Sequence, residues 1–149
     1  MNWTVELIPV PVTDVARAKA FYSEQVGFKV DFDYPLTDDA RFVQLTPPGS
    51  GCSLALGEWI VEMQPGDLRG VVLVVADLHQ ARAELVERGV EVTDFHIFDR
   101  GSFRPRAEDE SLDMVGFDFF SDPDGNRWAV QQISARQSGH AEVDAAPTG

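Results

Sequence analysis

The chain has 149 residues, with 12 Lys plus Arg against 25 Asp plus Glu, a formal charge of −13. Hydrophobic residues at 44% and charged residues at 25% give the balance of a globular protein able to build its own core. The acidic surplus argues against nucleic acid or an anionic membrane as partner, since both demand clustered positive charge. Cys52 is the only cysteine, which excludes an internal disulfide and a thiolate zinc site. The first residues lack the basic and apolar stretches of a signal peptide. No segment reaches the roughly 18 unbroken apolar residues of a spanning helix, so the expected setting is the cytoplasm.

The first predicted strand covers 5–12 and stops at Thr13-Asp14, where the Asp14 carboxylate suits a helix N-cap. Behind it Val15, Ala18, Phe21, Tyr22 and Val26 recur at helical spacing, and Gly27 closes the helix. Strands are predicted over 28–34, 41–46 and 52–56, with turns carrying Pro35, Asp38-Asp39 and Pro47-Pro48-Gly49-Ser50-Gly51. The same order then returns. A β-branched run over 71–76 leads to Asp77 as cap, and Leu78, Ala81, Leu85 and Val86 mark the buried helical face. Gly89 stops this helix, and strands are predicted over 90–98, 114–120 and 126–133. The last two are joined by the turn Ser121-Asp122-Pro123-Asp124-Gly125.

Val12-Thr13-Asp14-Val15 lines up with Val75-Ala76-Asp77-Leu78, and Gly27-Phe28-Lys29-Val30 with Gly89-Val90-Glu91-Val92, about 63 residues on. The fold class predicted is therefore α+β: two βαβββ modules forming a cupped, curved mixed sheet with the helices outside. The modules span 1–66 and 67–133, and the polar, aperiodic stretch 134–149 reads as a flexible tail. Segment 99–113 lies outside the repeat, has mixed charge and few aliphatics, and reads equally as a lid or a solvated loop. Arg100, Arg104 and Arg106 in it suit an anionic ligand, while Glu108, Asp109, Glu110 and Asp113 suit neutralisation within the loop itself.

These motifs resemble the vicinal oxygen chelate superfamily of glyoxalases, bleomycin-resistance proteins and extradiol dioxygenases. The likeness rests on Val12-Thr13-Asp14, Ala20-Phe21-Tyr22, Val26-Gly27-Phe28, Val75-Ala76-Asp77-Leu78 and Phe119-Phe120-Ser121-Asp122-Pro123-Asp124-Gly125-Asn126. It runs over nearly the whole chain and is specific for fold, whereas the superfamily hosts many chemistries on one scaffold. The resemblance implies a divalent metal held by His or Gln from the first strand of each half and Glu from the last. Carried over, these positions fall on Leu7, Gly70, Ala129 and, near it in the first half, Ala55. None offers a side-chain donor, so no cofactor is expected. Shifting the first strand by one would bring Glu6 into position but would turn Ile8, Val10 and Val12 out of the core.

By strand alternation Leu7, Val72, Ala129, Arg127 and Gln131 face the cup. The third strand contributes either Phe42 and Gln44 or Arg41, Val43 and Leu45, and the first pair is favoured because it leaves the aliphatics for the helix side. Trp59, Phe95, Phe98 and Phe103 lie at strand ends or in the 99–113 loop, where they suit an aromatic rim or serve as core. The ligand-binding set is thus Leu7, Phe42, Gln44, Val72, Phe103, Arg127, Ala129 and Gln131. Among the histidines, His96 alone sits in a cup-lining strand. Alternation sets Asp118 opposite its Phe neighbours without saying which face is which. The reading is a metal-independent protein holding a flat or amphipathic organic molecule, a drug or metabolite, in an apolar cup. A homodimer is the accompanying expectation of the resemblance. The alternatives are a lyase, isomerase or dioxygenase with an unusual or absent metal site, and a scaffold whose cup its own side chains fill.

Overall fold

The computed structural model describes residues 1–57 and 62–136. Trp59 and the stretch from 137 onward, with His140, lie outside the described residues. The chain has an α+β fold and divides into two compact units, one holding Met1–Arg69 with Ser121–Arg127, the other Gly70–Phe120 with the segment from Trp128.

The first unit contains β1 (Leu7–Val10), α1 (Val15–Ala20), β2 (Lys29–Pro35), β3 (Arg41–Thr46) and β4 (Ser53–Leu56) in a sheet of order β1-β4-β3-β2. Asp14 caps α1 by accepting a hydrogen bond from the Arg17 N–H at 3.0 Å. The predicted helix is not uniform: after Ala20 it widens into a π-helical stretch, Phe21–Val26, and ends at Gly27 with φ 95°. Register pairs Val10 with Leu56 across the parallel β1–β4 ladder, Val43 with Leu56 and Leu45 with Leu54. All five side chains are at most 2% exposed, and they form a core with Ala18, Phe21 and Tyr22. The same registers put Leu7, Pro9, Ala55, Phe42 and Gln44 on the opposite face.

Residues 121–127 complete this unit although they come from the far end of the chain. Asp122 Oδ1 accepts the N–H groups of Asp124 and Asn126, closing the turn on itself. Its Oδ2 accepts the Tyr22 hydroxyl at 2.6 Å and Asn126 Nδ2 at 2.8 Å. Asn126 Oδ1 accepts the N–H groups of Gly66 and Leu68, while its Nδ2 also donates to Pro11 O. Asn126 and Tyr22 are fully buried, so each polar atom must find a partner inside the protein, and each has one. Asp124 takes the Thr13 hydroxyl at 2.7 Å.

The second unit contains β5 (Arg69–Val75), α2 (Leu78–Glu87), β6 (His96–Asp99), β7 (Ser102–Pro105), β8 (Gly116–Ser121) and β9 (Arg127–Gln132), in the order β5-β9-β8-β6-β7. Asp77 caps α2 through the Gln80 N–H at 3.0 Å, and Gly89 takes a left-handed φ of 86°, repeating Asp14 and Gly27. Two predicted features are corrected. The strand expected over 90–98 is reduced to His96–Asp99, with Val92 forming only an isolated bridge to Phe120. Val92 pairs with Phe120 but His96 pairs with Phe117, so the first strand carries one residue too many and bulges. There Thr93 bonds Phe119 twice, its N–H to the carbonyl and its hydroxyl oxygen to the N–H.

The second correction concerns the start of 99–113, which is not a loop. Ser102–Pro105 folds back as β7, a hairpin partner of β6 with Phe98 opposite Phe103. Arg104 and Arg106 are spent locally, while Arg100 is exposed. Arg104 donates to Asp99 at 3.0 Å and forms a fork on Glu110 at 2.8 and 2.6 Å, and Arg106 Nε donates to Glu110 O. The Arg104 guanidinium beside it, helped by the Ala107 N–H, holds Glu110 down to about 2.

Candidate functional site: an aromatic wall

The face of the second sheet turned away from α2 is built from side chains of alternating residues. Gln132 Oε1 accepts the Leu78 N–H at the start of α2, which fixes the even-numbered residues of β9 on the helix side. Trp128 and Val130 are accordingly buried there, and Ala129 and Gln131 take the other face. On β8 the odd positions, Phe117 and Phe119, point to this outer face, where they meet the rings of β6 and β7. Phe103 stands edge-on to both, with centroids 5.1 Å away in each case, and lies 5.2 Å from Phe98. Phe117 and Phe119 are near-parallel at 6.4 Å, and His96 is edge-on to Phe119 at 5.9 Å. Edge-to-face spacing of this kind is the favourable geometry for rings. Phe98 and Phe103 are each 45% exposed, an unusual cost for two adjacent phenylalanines on an edge hairpin.

Behind the wall, Asp118 points to the α2 side. It is 1% exposed, and neither carboxylate oxygen has a hydrogen-bond partner among the described residues. Burial pushes its pKa up to about 7, against a smaller opposing pull from the Arg82 charge. Arg82 itself donates to the carbonyls of Thr93 and Val92. Phe95, considered above as a rim residue, instead packs on this helix side, edge-on to His79 at 4.6 Å and flanked by the guanidinium carbons of Arg82 and Arg106 at 5.8 Å each.

Of the residues singled out from sequence, the second unit brings Phe103, Ala129 and Gln131 to the same outer face. Val72 is 46% exposed in β5, the far edge strand. Arg127 is an exposed residue at the start of β9, where the chain passes between units. In the first unit Leu7, Phe42 and Gln44 share the face opposite the core, with Phe42 5.3 Å from Tyr34. Phe117 and Phe119 were missed as site residues, although the Phe-Asp-Phe spacing carried the signal. The positions that the resemblance assigns to metal ligands hold Leu7, Ala55, Gly70 and Ala129, and Leu7 and Ala55 share one face of their sheet. Hydrocarbon and hydrogen do not fit a divalent cation. Among the described residues no cluster of three or more His, Cys, Asp or Glu side chains is arranged to hold one. Among them also, no helix is long and apolar enough to cross a membrane.

The chain matches the model of the Glyoxalase/Bleomycin resistance protein/Dioxygenase superfamily over residues 1–130 and belongs to that superfamily. It is similar to TnmS3, an antibiotic binding protein from Streptomyces sp. CB03234, at 37% identity and a TM-score of 0.69, covering 89% of this chain and 98% of that one. A glyoxalase/bleomycin resistance protein from the same Streptomyces is 36% identical with a TM-score of 0.66, covering 87% of this chain and 100% of that one. A superfamily member from Sphaerobacter thermophilus DSM 20745 is 30% identical with a TM-score of 0.68, covering 88% and 98%.

Proposed function

We propose that this protein binds a flat, largely apolar organic molecule of the antibiotic or metabolite kind, without a resident metal and without turnover. The observation that carries the reading is the aromatic wall, in which Phe98 and Phe103, each 45% exposed, pack edge-on against Phe117 and Phe119 with His96 beside them. The absence of donor side chains at Leu7, Ala55, Gly70 and Ala129 supports metal independence, and the likeness to an antibiotic binding protein supports the ligand class. As in the reading of the sequence, the protein works as a homodimer in the cytoplasm, which light scattering on the purified chain tests for the assembly.

The test is fluorescence titration of polycyclic aromatic antibiotics against wild type and Phe103→Ala. The substitution removes a ring that touches three others, and affinity should fall about tenfold at unchanged stoichiometry, as for the loss of one aromatic contact. Equal affinity in the two proteins would remove the wall from the binding site. Steady conversion of any bound compound would replace binding by catalysis.

A further inference from the structure

The two most exposed rings of the wall sit in an acidic part of the chain. Over 94–113 there are six Asp and Glu against three Arg. Those arginines are engaged elsewhere. Arg104 is forked on Glu110 and bound to Asp99, Arg100 reaches Asp99 at 3.8 Å, and Arg106 lies with Arg82 over Phe95, on the helix side of the sheet. Phe98 and Phe103 stand opposite each other across the β6–β7 ladder, with centroids 5.2 Å apart and planes inclined at 59°. Among the described residues neither has a guanidinium or ammonium over its ring.

The face of an aromatic ring is the negative part of its quadrupole, so a cation laid on it is attracted where a neutral group gains contact area alone. We infer that the wall selects planar aromatic cations, such as quaternary nitrogen heterocycles, over neutral ring systems of the same shape. This deepens the reading of the wall as the ligand site and rests on it. A delocalised charge is weakly hydrated and is laid on a ring at small cost, as the guanidinium groups of Arg82 and Arg106 already are on Phe95. The carboxylates flanking Phe98 and Phe103, within a chain of formal charge −13, add an attraction of the same sign. An anionic ring system would meet the opposite field.

The experiment titrates wild type, Phe98→Leu and Phe103→Leu with two fluorescent probes at pH 8. One is N-methylacridinium, a planar cation; the other is acridine with its methyl group on carbon, which has a similar outline and is neutral. Leucine keeps each position apolar and removes the ring face. Wild type should bind the cation about fivefold more tightly, and each variant should bring that ratio down. In roughly 1 M salt, where the Debye length shrinks to about 3 Å, attraction by distant carboxylates is lost and contact with the rings is not, so most of the preference should remain. Equal affinity of wild type for the two probes, a preference that both leucine variants retain, or one that salt abolishes overturns the cation selectivity and leaves the wall in place. If wild type binds neither probe, or Phe103→Ala binds both as wild type does, the wall itself falls as the ligand site and the selectivity falls with it.

Discussion

Replacing Asp118 by asparagine keeps the shape of the side chain and deletes its charge, which isolates the cost of the buried carboxylate. In the folded protein the group holds its proton up to about pH 7, whereas in the unfolded chain it releases it near its ordinary value of 3.8. Between those values the folded state binds more protons than the unfolded one, so this group makes stability fall as pH rises from about 4 to about 7 and adds no further slope above. At about 1.4 kcal/mol per pH unit, the whole span amounts to about 4 kcal/mol. The substituted asparagine has no such titration, and its unpaired amide costs about as much as the unpaired protonated acid. Urea unfolding at pH 4.5 and pH 8 should therefore find Asp118→Asn about 1 kcal/mol more stable than wild type at the lower pH and about 4 kcal/mol more stable at the higher one. Parallel pH profiles for the two proteins would mean that Asp118 is hydrated or partnered in solution, and the account of its burial would be wrong.

The Tyr22 hydroxyl donates to the Asp122 carboxylate at 2.6 Å in a buried site, so Tyr22→Phe should cost about 2 kcal/mol by urea unfolding. Combined with Asp122→Asn it should give much less than the sum of the two losses; strict additivity would deny the bond its place in the network. Asp14→Ala and Asp77→Ala each remove one helix cap, and each should cost about 1 kcal/mol in thermal melts, with equal effects marking the repeat. Carboxyl NMR should find Glu110 titrating at about 2, and Arg104→Met should move it upward toward the ordinary range. An unmoved Glu110 would show that the Ala107 N–H, not the guanidinium, holds it down.

Much of the fold was legible because it depends on local chemistry. Asp14 and Asp77 as caps, and Gly27 and Gly89 as stops, need only the orphan N–H groups of a helix start and the left-handed backbone of its end. The burial of Val43 and Leu45 against the helix follows from alternation together with the preference for covering the aliphatic set. The bulge between Val92 and His96 was not legible, since it is a mismatch between two strands and neither strand's own sequence displays it. Nor was β7: only Phe103 in Ser102–Pro105 is apolar, and it becomes a strand through Phe98 across from it and the arginine fork beside it. The sequence placed Asp118 opposite its Phe neighbours, and only Gln132 bonding to α2 tells which side is which. That one bond also separates the wall from the core.

The turn 121–127 also bears on how the chain is made. The first unit needs that turn, because Tyr22, Pro11, Gly66 and Leu68 leave polar groups unanswered until Asp122 and Asn126 arrive. A ribosome adds about 5–20 residues per second, so the nascent first unit waits several seconds after its own segment has emerged. During that interval it is a natural client for chaperones, and a chain stopped before the turn would give no stable half-protein to inherit the fold.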